Sequence, residues 1–151
     1  MRTYTDIEQS KKLAEILSVD SADMYWINAL NKDKRFHSPY PHFRERLRPE
    51  VNGKFIPRYE LGKLDVPCWS LAALLEVLPS EISKGEKFVD KYQIDIRKYD
   101  GGDGTTWYQI AYGNDRGSSG EWHDMINTGE KENIIDCCYQ MIVRLKEKDL
   151  L

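Results

Sequence analysis

The stretch KYDGGDGTTWYQIAYG, from Lys98 to Gly113, decides the fold because it joins two alternating runs through a cluster of glycines and aspartates. On either side of the cluster, alternate side chains are apolar: Phe88, Tyr92, Ile94 and Ile96 before it, and Tyr108, Ile110 and Tyr112 after it. Side chains of a strand point to opposite faces with a period of two, so each run predicts a half-buried strand. The cluster is therefore expected to connect two antiparallel strands.

The length of the connecting loop follows from the requirement that the apolar side chains of both strands lie on the same face of the sheet. A two-residue turn at Asp103-Gly104 would place Ile96 opposite Ala111 and mismatch the apolar faces. An odd-length loop centred on Gly102 pairs Ile96 with Tyr108 and keeps the faces matched. The sequence thus predicts a hairpin with a loop of three or five residues, in which glycine supplies the left-handed backbone conformation.

Ligand-binding interpretations of the same glycines fit less well. Counted from Asp100, a calcium loop would need oxygen ligands at positions occupied by Gly102 and Gly104. A phosphate-binding loop should lead into a helix, whereas the residues that follow here, TTWYQIAY, have a strand pattern. The turn is the interpretation that the sequence favours.

Helical and further strand patterns flank the hairpin. Three helices are predicted, at Asp6–Leu17, Ser70–Leu78 and Lys131–Lys148, with Asp6 and Ser70 as N-caps. A third meander strand is expected at Glu121–Asn127, with Trp122, Asp124 and Ile126 on one face. The prediction is an α+β fold. Its sheet is an antiparallel meander of three strands, extendable to four or five, with a long C-terminal helix and a short buried helix packed on one face.

The domain organisation is less sharply defined before the hairpin. A chain of 151 residues fits a single domain, 1–151. Residues 31–63 form a basic, proline-containing segment that is predicted to be irregular, apart from a short edge strand at Lys54–Tyr59. Met24–Leu30 fits a strand or a short helix, and a strand is favoured.

The charge distribution and the lengths of the apolar runs limit where the protein can be located and which partners it can have. The net charge is −3, but residues 31–63 hold nine Lys/Arg against four Asp/Glu, a net of +5, which leaves −8 for the rest. The N-terminus, MRTYTDIEQSKK, lacks the apolar region of a signal peptide, and no apolar run reaches the ~20 residues of a membrane span. We therefore expect a cytoplasmic protein with no membrane partner.

The basic segment supplies most of the candidate binding residues. They combine cationic and aromatic side chains: Arg35, Phe36, His37, Tyr40, His42, Arg44, Arg46 and Arg48. Arginine with aromatics suits a protein interface, and it also suits a surface that follows phosphates and stacks on bases. A solvated loop that balances the acidic remainder is the third interpretation. The pI of about 5.7 argues against a dedicated nucleic-acid binder.

Trp107 is the remaining candidate binding residue. The alternation places it on the face opposite the tyrosines and isoleucines, across from Arg97 if the loop is centred on Gly102. An exposed tryptophan there would form a cation–π pair or mark a binding surface. The alternative, that another element covers this face, stays open.

No catalytic residue, metal site or cofactor is predicted. The cysteines Cys68, Cys137 and Cys138 lack zinc-ligand spacing and are expected to be reduced. A thiolate at Cys68 would gain from the following helix N-terminus, but no partner base is identifiable, so a packing role is favoured.

Two segments carry a resemblance to a known group of proteins. VPCWSLAALLEVLPSEI (Val66–Ile82) and NIIDCCYQMIVRLKEKDLL (Asn133–Leu151) resemble small uncharacterised proteins of phages and mobile elements of gut anaerobes, over Val66–Leu151. The resemblance implies a fold and no activity. The function expected from the whole sequence is a non-enzymatic interaction or accessory module that binds a protein. The alternative is a nucleic-acid-binding protein that uses residues 32–48.

Overall fold

The computed structural model describes residues 2–26, 41–43, 48–49, 55–56, 65–83, 91–115 and 122–151. The chain divides into two compact units: an N-terminal unit, residues 3–73, and a C-terminal unit, residues 74–151 together with residues 1–2. The single domain expected over 1–151 stays a prediction. Within the described ranges, no helix is long and apolar enough to cross a membrane. Helices and antiparallel sheets occur together, which confirms the α+β class.

The N-terminal unit begins with helix α1, Ile7–Ala14, which is shorter than the helix predicted at Asp6–Leu17. Asp6 is its N-cap, as predicted, and accepts a hydrogen bond from the Gln9 backbone N–H at 2.8 Å. The Gln9 side chain accepts from the Asp6 N–H in return, which completes a capping box. Two backbone donors that the helix leaves unpaired are thereby satisfied.

The described residues of this unit also form a 3₁₀ helix, Val19–Ser21, and several short antiparallel strands. Strand β1, Met24–Trp26, lies between β2, His42–Phe43, and β5, Val66–Cys68. Strands β3, Arg48–Pro49, and β4, Phe55–Ile56, pair with each other. The strand favoured at Met24–Leu30 is thus confirmed at its first three residues, and the edge strand expected at Lys54–Tyr59 at Phe55–Ile56. Of the basic segment, His42–Phe43, Arg48–Pro49 and Phe55–Ile56 are short strands. Apart from Pro41, the other positions of 31–63 lie outside the described residues, so the irregular backbone expected there stays a prediction.

The core of the N-terminal unit combines apolar packing with a buried polar network. Met24, Trp26, Val66 and Cys68 form its buried cluster, with Tyr4 and Ile7 packed against it. Thr5 and Ser10 are also fully buried and share a hydrogen bond of 2.7 Å between their hydroxyls. Burial raises the pKa of Cys68 to about 11, although its hydrogen bonds with Thr5 oppose the shift. Cys68 is thus a packing residue, not a reactive thiolate.

Helix α2, Leu71–Val77, follows its predicted N-cap. The Ser70 hydroxyl accepts from the Ala73 N–H at 3.3 Å, and Asp23 accepts from the Ser70 N–H at 2.8 Å. Ala73 and Leu74 are buried, whereas Ala72 and Glu76 are exposed. The short helix that was predicted to be buried is therefore buried on one side only, because Ala72 and Glu76 lie on its exposed side.

The C-terminal unit is a four-stranded antiparallel meander with a long helix. Its strands are β6 (Glu81–Ser83), β7 (Lys91–Asp100), β8 (Thr106–Asp115) and β9 (Trp122–Asn127), in that order. Helix α3, Ile134–Glu147, is capped by Asn133 and packs on β8. The predicted meander and C-terminal helix are confirmed. Strand β6 adds a fourth strand to the three that were predicted, an extension that the prediction had left open.

The hairpin between β7 and β8 has a five-residue loop, 101–105, centred on Asp103. Ile96 therefore pairs with Ile110, and the predicted pairing of Ile96 with Tyr108 was wrong by two positions. An even shift keeps every side chain on its predicted face. The loop closes through a hydrogen bond of 2.7 Å from the Gly101 N–H to the Thr105 carbonyl, and Gly104 supplies the left-handed conformation at φ 82°.

Candidate functional site

The two faces of the meander differ in character. Tyr92, Ile110, Tyr112 and Ile126 are buried and define the core face. The opposite face carries the odd-numbered residues of β7 and β8 together with Trp122, Asp124 and Asn127 of β9, as their pairing requires. We call this surface the polar face. It contains Trp107, the one predicted binding residue whose side chain the structure describes, and a hydrogen-bonded side-chain cluster centred on Arg97.

Arg97 is the centre of that cluster and makes four side-chain hydrogen bonds. Its Nε donates to Asp95 at 2.6 Å, and its Nη1 donates to Gln109 at 3.0 Å. Both terminal nitrogens reach Asp124, at 3.1 and 2.8 Å, in a bidentate ion pair. The side chains of Arg97 and Asp124 are only 25% and 21% exposed. The guanidinium is thus held in one orientation by groups from β7, β8 and β9.

Two small residues of β8 make this crossing possible. Arg97 lies on β7 opposite Gln109, and Asp124 lies on β9 opposite Gly113, so the guanidinium passes over β8 where the small residues Ala111 and Gly113 follow Gln109 on the polar face. The Trp122 indole lies over Gly113: a Cβ atom at that position would be 2.4 Å from Trp122 Nε1. That Nε1 donates to Asp124 at 2.8 Å. We call the side chains of Asp95, Arg97, Gln109, Trp122 and Asp124 the Arg97 layer.

A β-bulge places Asp124 in this layer. The β8–β9 register shifts between Tyr112, which pairs with Ile126, and Gly113, which pairs with Asp124. Adjacent residues of β8 point to opposite faces, so Asp124 and Ile126 do as well. The prediction that Trp122, Asp124 and Ile126 share one face was therefore wrong, because the extra residue, Met125, changes the alternation.

The charges of the layer stabilise each other. Partial burial opposes ionisation of Asp124, but hydrogen bonds from Arg97 and Trp122 outweigh it, and the pKa of Asp124 is lowered. The hydrogen bond to Asp124 is also the main reason that the pKa of Arg97 is raised. The Arg97 guanidinium thus lies between the carboxylates of Asp95 and Asp124, and the three side chains have a formal net charge of −1.

Two aromatic residues lie at the hairpin end of the polar face. Trp107 pairs with Tyr99, so the predicted pairing with Arg97 was wrong: the shift by two positions places Gln109 opposite Arg97. The Tyr99 hydroxyl donates to Gln109 at 3.2 Å, and its side chain is 39% exposed. Trp107 is half-buried, and its Nε1 donates to the Thr105 hydroxyl at 3.0 Å. Both rings are thus fixed and remain accessible.

A cavity of about 400 Å³ is lined, among the described residues, by Tyr92 of β7 and by His123, Asp124 and Met125 of β9. It brings a histidine next to a carboxylate, which an enzymatic interpretation would need. Asp124, however, already accepts hydrogen bonds from Arg97, Trp122 and Asn127, and its lowered pKa makes it a poor proton acceptor. In the described part of the chain, no three His, Cys, Asp or Glu side chains converge as metal ligands.

The other predicted binding residues cannot be placed beside this face. Six of them lie outside the described residues: Arg35, Phe36, His37, Tyr40, Arg44 and Arg46. For His42 and Arg48 the structure describes only the backbone, in β2 and β3. Sequence reasoning named Arg97 only as a cation–π partner of Trp107, and it missed Asp95, Tyr99, Gln109, Trp122 and Asp124 as site residues. The available signal was the polar character of alternate positions on β7 and β8, but the contribution of β9 depends on the bulge.

No family model, curated protein or solved structure matches the chain.

Replacing Arg97 with methionine tests the stability of the layer. The change keeps the aliphatic stem but leaves Asp95 and Asp124 without their shared cation, so we expect a loss of about 1–2 kcal/mol in the free energy of unfolding at neutral pH. Denaturant unfolding measures it, with Lys98→Met, an exposed neighbour, as the control.

Acid should remove that difference. The pKa of Asp124 is lowered in the folded protein, so its stabilising contribution is present above the unfolded value of 3.8 and is lost as the pH falls through the folded value. The deficit of Arg97→Met should therefore shrink below pH 3.8. A deficit that stays constant into acid, or one matched by Lys98→Met, would contradict the charge-based account.

Proposed function

We propose that the protein is a non-enzymatic interaction module that binds a partner protein through the polar face. The observation that carries the proposal is the Arg97 layer, a fixed guanidinium–carboxylate–indole group beside two accessible aromatic rings. The sequence resemblance to phage and mobile-element proteins supports an accessory role in such an element.

Preorganisation supports a binding role. Ordering long side chains on association costs about 0.5–1.5 kcal/mol for each one immobilised. Arg97, Gln109 and Trp122 are already held by hydrogen bonds within the layer, so much of that cost does not arise on binding. Tryptophan, tyrosine and arginine are also the residue types that dominate binding energy at protein interfaces.

The polar face is poorly suited to nucleic acid. Phosphate binding needs cationic groups with free donors, whereas the Arg97 guanidinium is shared among Asp95, Gln109 and Asp124. The nucleic-acid alternative depends instead on residues 32–48 and is an outcome of the experiment below.

The proposal predicts that binding depends on the two aromatic residues at the hairpin end. A displayed library of random peptides of about 12 residues, ~40 Å when extended, covers the length of the ten-residue strand β7. Selected peptides should bind the double variant Tyr99→Ala/Trp107→Ala at least about tenfold more weakly than wild type, measured by fluorescence anisotropy. Circular dichroism checks that the variant is folded.

The matched control is Ile96→Ala. Ile96 is 43% exposed and lies on β7, but on the opposite face from Arg97 and Tyr99, so its truncation should leave affinity unchanged. An absence of binders, or binders that hold the double variant as tightly as wild type, would refute the proposal. Salt-sensitive retention on DNA or RNA that disappears in Arg44→Ala/Arg46→Ala/Arg48→Ala would favour the nucleic-acid alternative.

A further inference from the structure

We infer that the segment bound by the polar face is cationic and presents lysine or arginine side chains to it; this inference rests on the proposed function. Two separate features of the face lead to it. One is the excess of carboxylates around Arg97, and the other is the pair of accessible aromatic rings at the hairpin end.

The first feature is a net negative charge that the face does not neutralise by itself. Arg97 offsets only one of its two partners, Asp95 and Asp124. On β6 and β7, Glu81 and Lys91 form an ion pair of 2.9 Å and cancel. Asp115 adds a further exposed carboxylate on the same face, so the sum is −2.

The geometry of the layer favours an incoming cation over an incoming anion. An incoming carboxylate or phosphate would meet Asp95 and Asp124 beside a guanidinium that already makes four hydrogen bonds. An incoming ammonium or guanidinium would instead find acceptors, since the Asp95 side chain is 38% exposed and carboxylate oxygens accept several hydrogen bonds. Anionic partners are thus disfavoured by the same arrangement that favours cations.

The second feature, the pair of aromatic rings, also favours a cationic partner, but through cation–π attraction. The faces of tryptophan and tyrosine rings attract cations through the ring quadrupole, by about 0.5–1 kcal/mol at exposed sites. Tyr99 and Trp107 form a cross-strand pair, and Tyr99 lies two residues from Arg97 on the same strand and face. A segment laid along β7 would therefore meet ring faces at the hairpin end and carboxylates further along.

Labelled peptides of defined charge test the inference. Three 12-residue probes of one sequence pattern would carry lysine, glutamine or glutamate at alternate positions. We expect the lysine probe to bind at least about tenfold more tightly than the glutamine probe and the glutamate probe to bind most weakly, with the differences shrinking as salt screens the charges.

Two charge-neutralising variants separate recognition by the face from general attraction to an acidic protein. Asp95→Asn removes a carboxylate of the face and should weaken the lysine probe about three- to tenfold. Glu132→Gln removes an exposed carboxylate outside the four strands and should leave its affinity unchanged. Equal losses in the two variants would overturn the inference.

Failure of the inference can be told apart from failure of the proposed function. If the library yields neutral or acidic peptides that bind wild type and are lost in Tyr99→Ala/Trp107→Ala, the face binds peptides and the cationic specificity is wrong. If neither the probes nor the selected peptides depend on those two rings, the proposed function itself fails.

Discussion

Replacing Gly113 with alanine is expected to lower the free energy of unfolding of the C-terminal unit by about 3 kcal/mol. Gly113 is buried near the C-terminal end of β8, and its Cα faces the Trp122 indole. An added Cβ would lie 2.4 Å from Trp122 Nε1 and 2.6 Å from the His123 carbonyl oxygen. The second contact is with backbone, so it can be relieved only by moving β9 away from β8.

Gly102→Ala is the matched control for this prediction. Gly102 lies in the loop of the same hairpin, and a Cβ there would meet no heavy atom within 4 Å. The same chemical change should therefore alter stability by no more than about 0.5 kcal/mol. Denaturant unfolding of the two variants measures the difference, and equal effects would contradict the account of Gly113.

A double-mutant cycle resolves the two clashes at Gly113. Trp122→Ala removes the ring, so Gly113→Ala should cost less in that background than in wild type. The remaining cost should reflect the His123 carbonyl, which the second substitution leaves in place. Strict additivity of the two substitutions would show that the ring does not lie over Gly113 in solution.

The hairpin shows how far alternation alone predicts a fold. The apolar pattern determined which face each residue of β7 and β8 occupies, because only odd-length loops match the two runs. It could not determine the register, since moving the centre from Gly102 to Asp103 changes each pair by two and preserves both faces. The register depends on local details, including Gly104 at φ 82° and the Asp103 carboxylate accepting from the Thr105 N–H at 2.9 Å.

The candidate site was less predictable than the sheet that carries it. Capping residues such as Asp6 and Ser70 gave reliable helix starts because a cap acts within a few residues. The Arg97 layer instead joins three strands and needs the bulge on β9, a single extra residue that no local pattern marks. Strand β6 was not located in the sequence because it has only three residues, too few for an alternating pattern to be recognised.

Buried thiols should make the protein lose stability steeply above about pH 9, the ordinary pKa of an unfolded cysteine. Burial raises the pKa of Cys68 to about 11 and that of Cys138 to about 12. The folded protein therefore retains thiol protons that the unfolded chain releases, and the free energy of unfolding falls as the pH rises through this window. Each thiol contributes about 1.4 kcal/mol per pH unit.

Single substitutions show how much each thiol contributes to the decline of the free energy of unfolding with pH. Cys138→Ala should lower stability at neutral pH through the cavity it leaves, but it should flatten the decline above pH 9 by about 1.4 kcal/mol per pH unit. Cys68→Ala should do the same for the N-terminal unit. Denaturant unfolding under reducing conditions, repeated from neutral pH to about pH 10.5, measures both slopes.

Alkylation provides an independent check, because only the thiolate reacts. A pKa of about 11 at Cys68 leaves roughly a hundredth of the thiolate present in an unfolded chain, so Cys68 of the native protein should react with iodoacetamide at least about 100-fold more slowly than Cys68 in denaturant. Comparable rates in the two states would show that these thiols are accessible and ionisable. In that case, an alkaline decline in stability would have to come from other groups, such as Tyr112, whose pKa burial also raises.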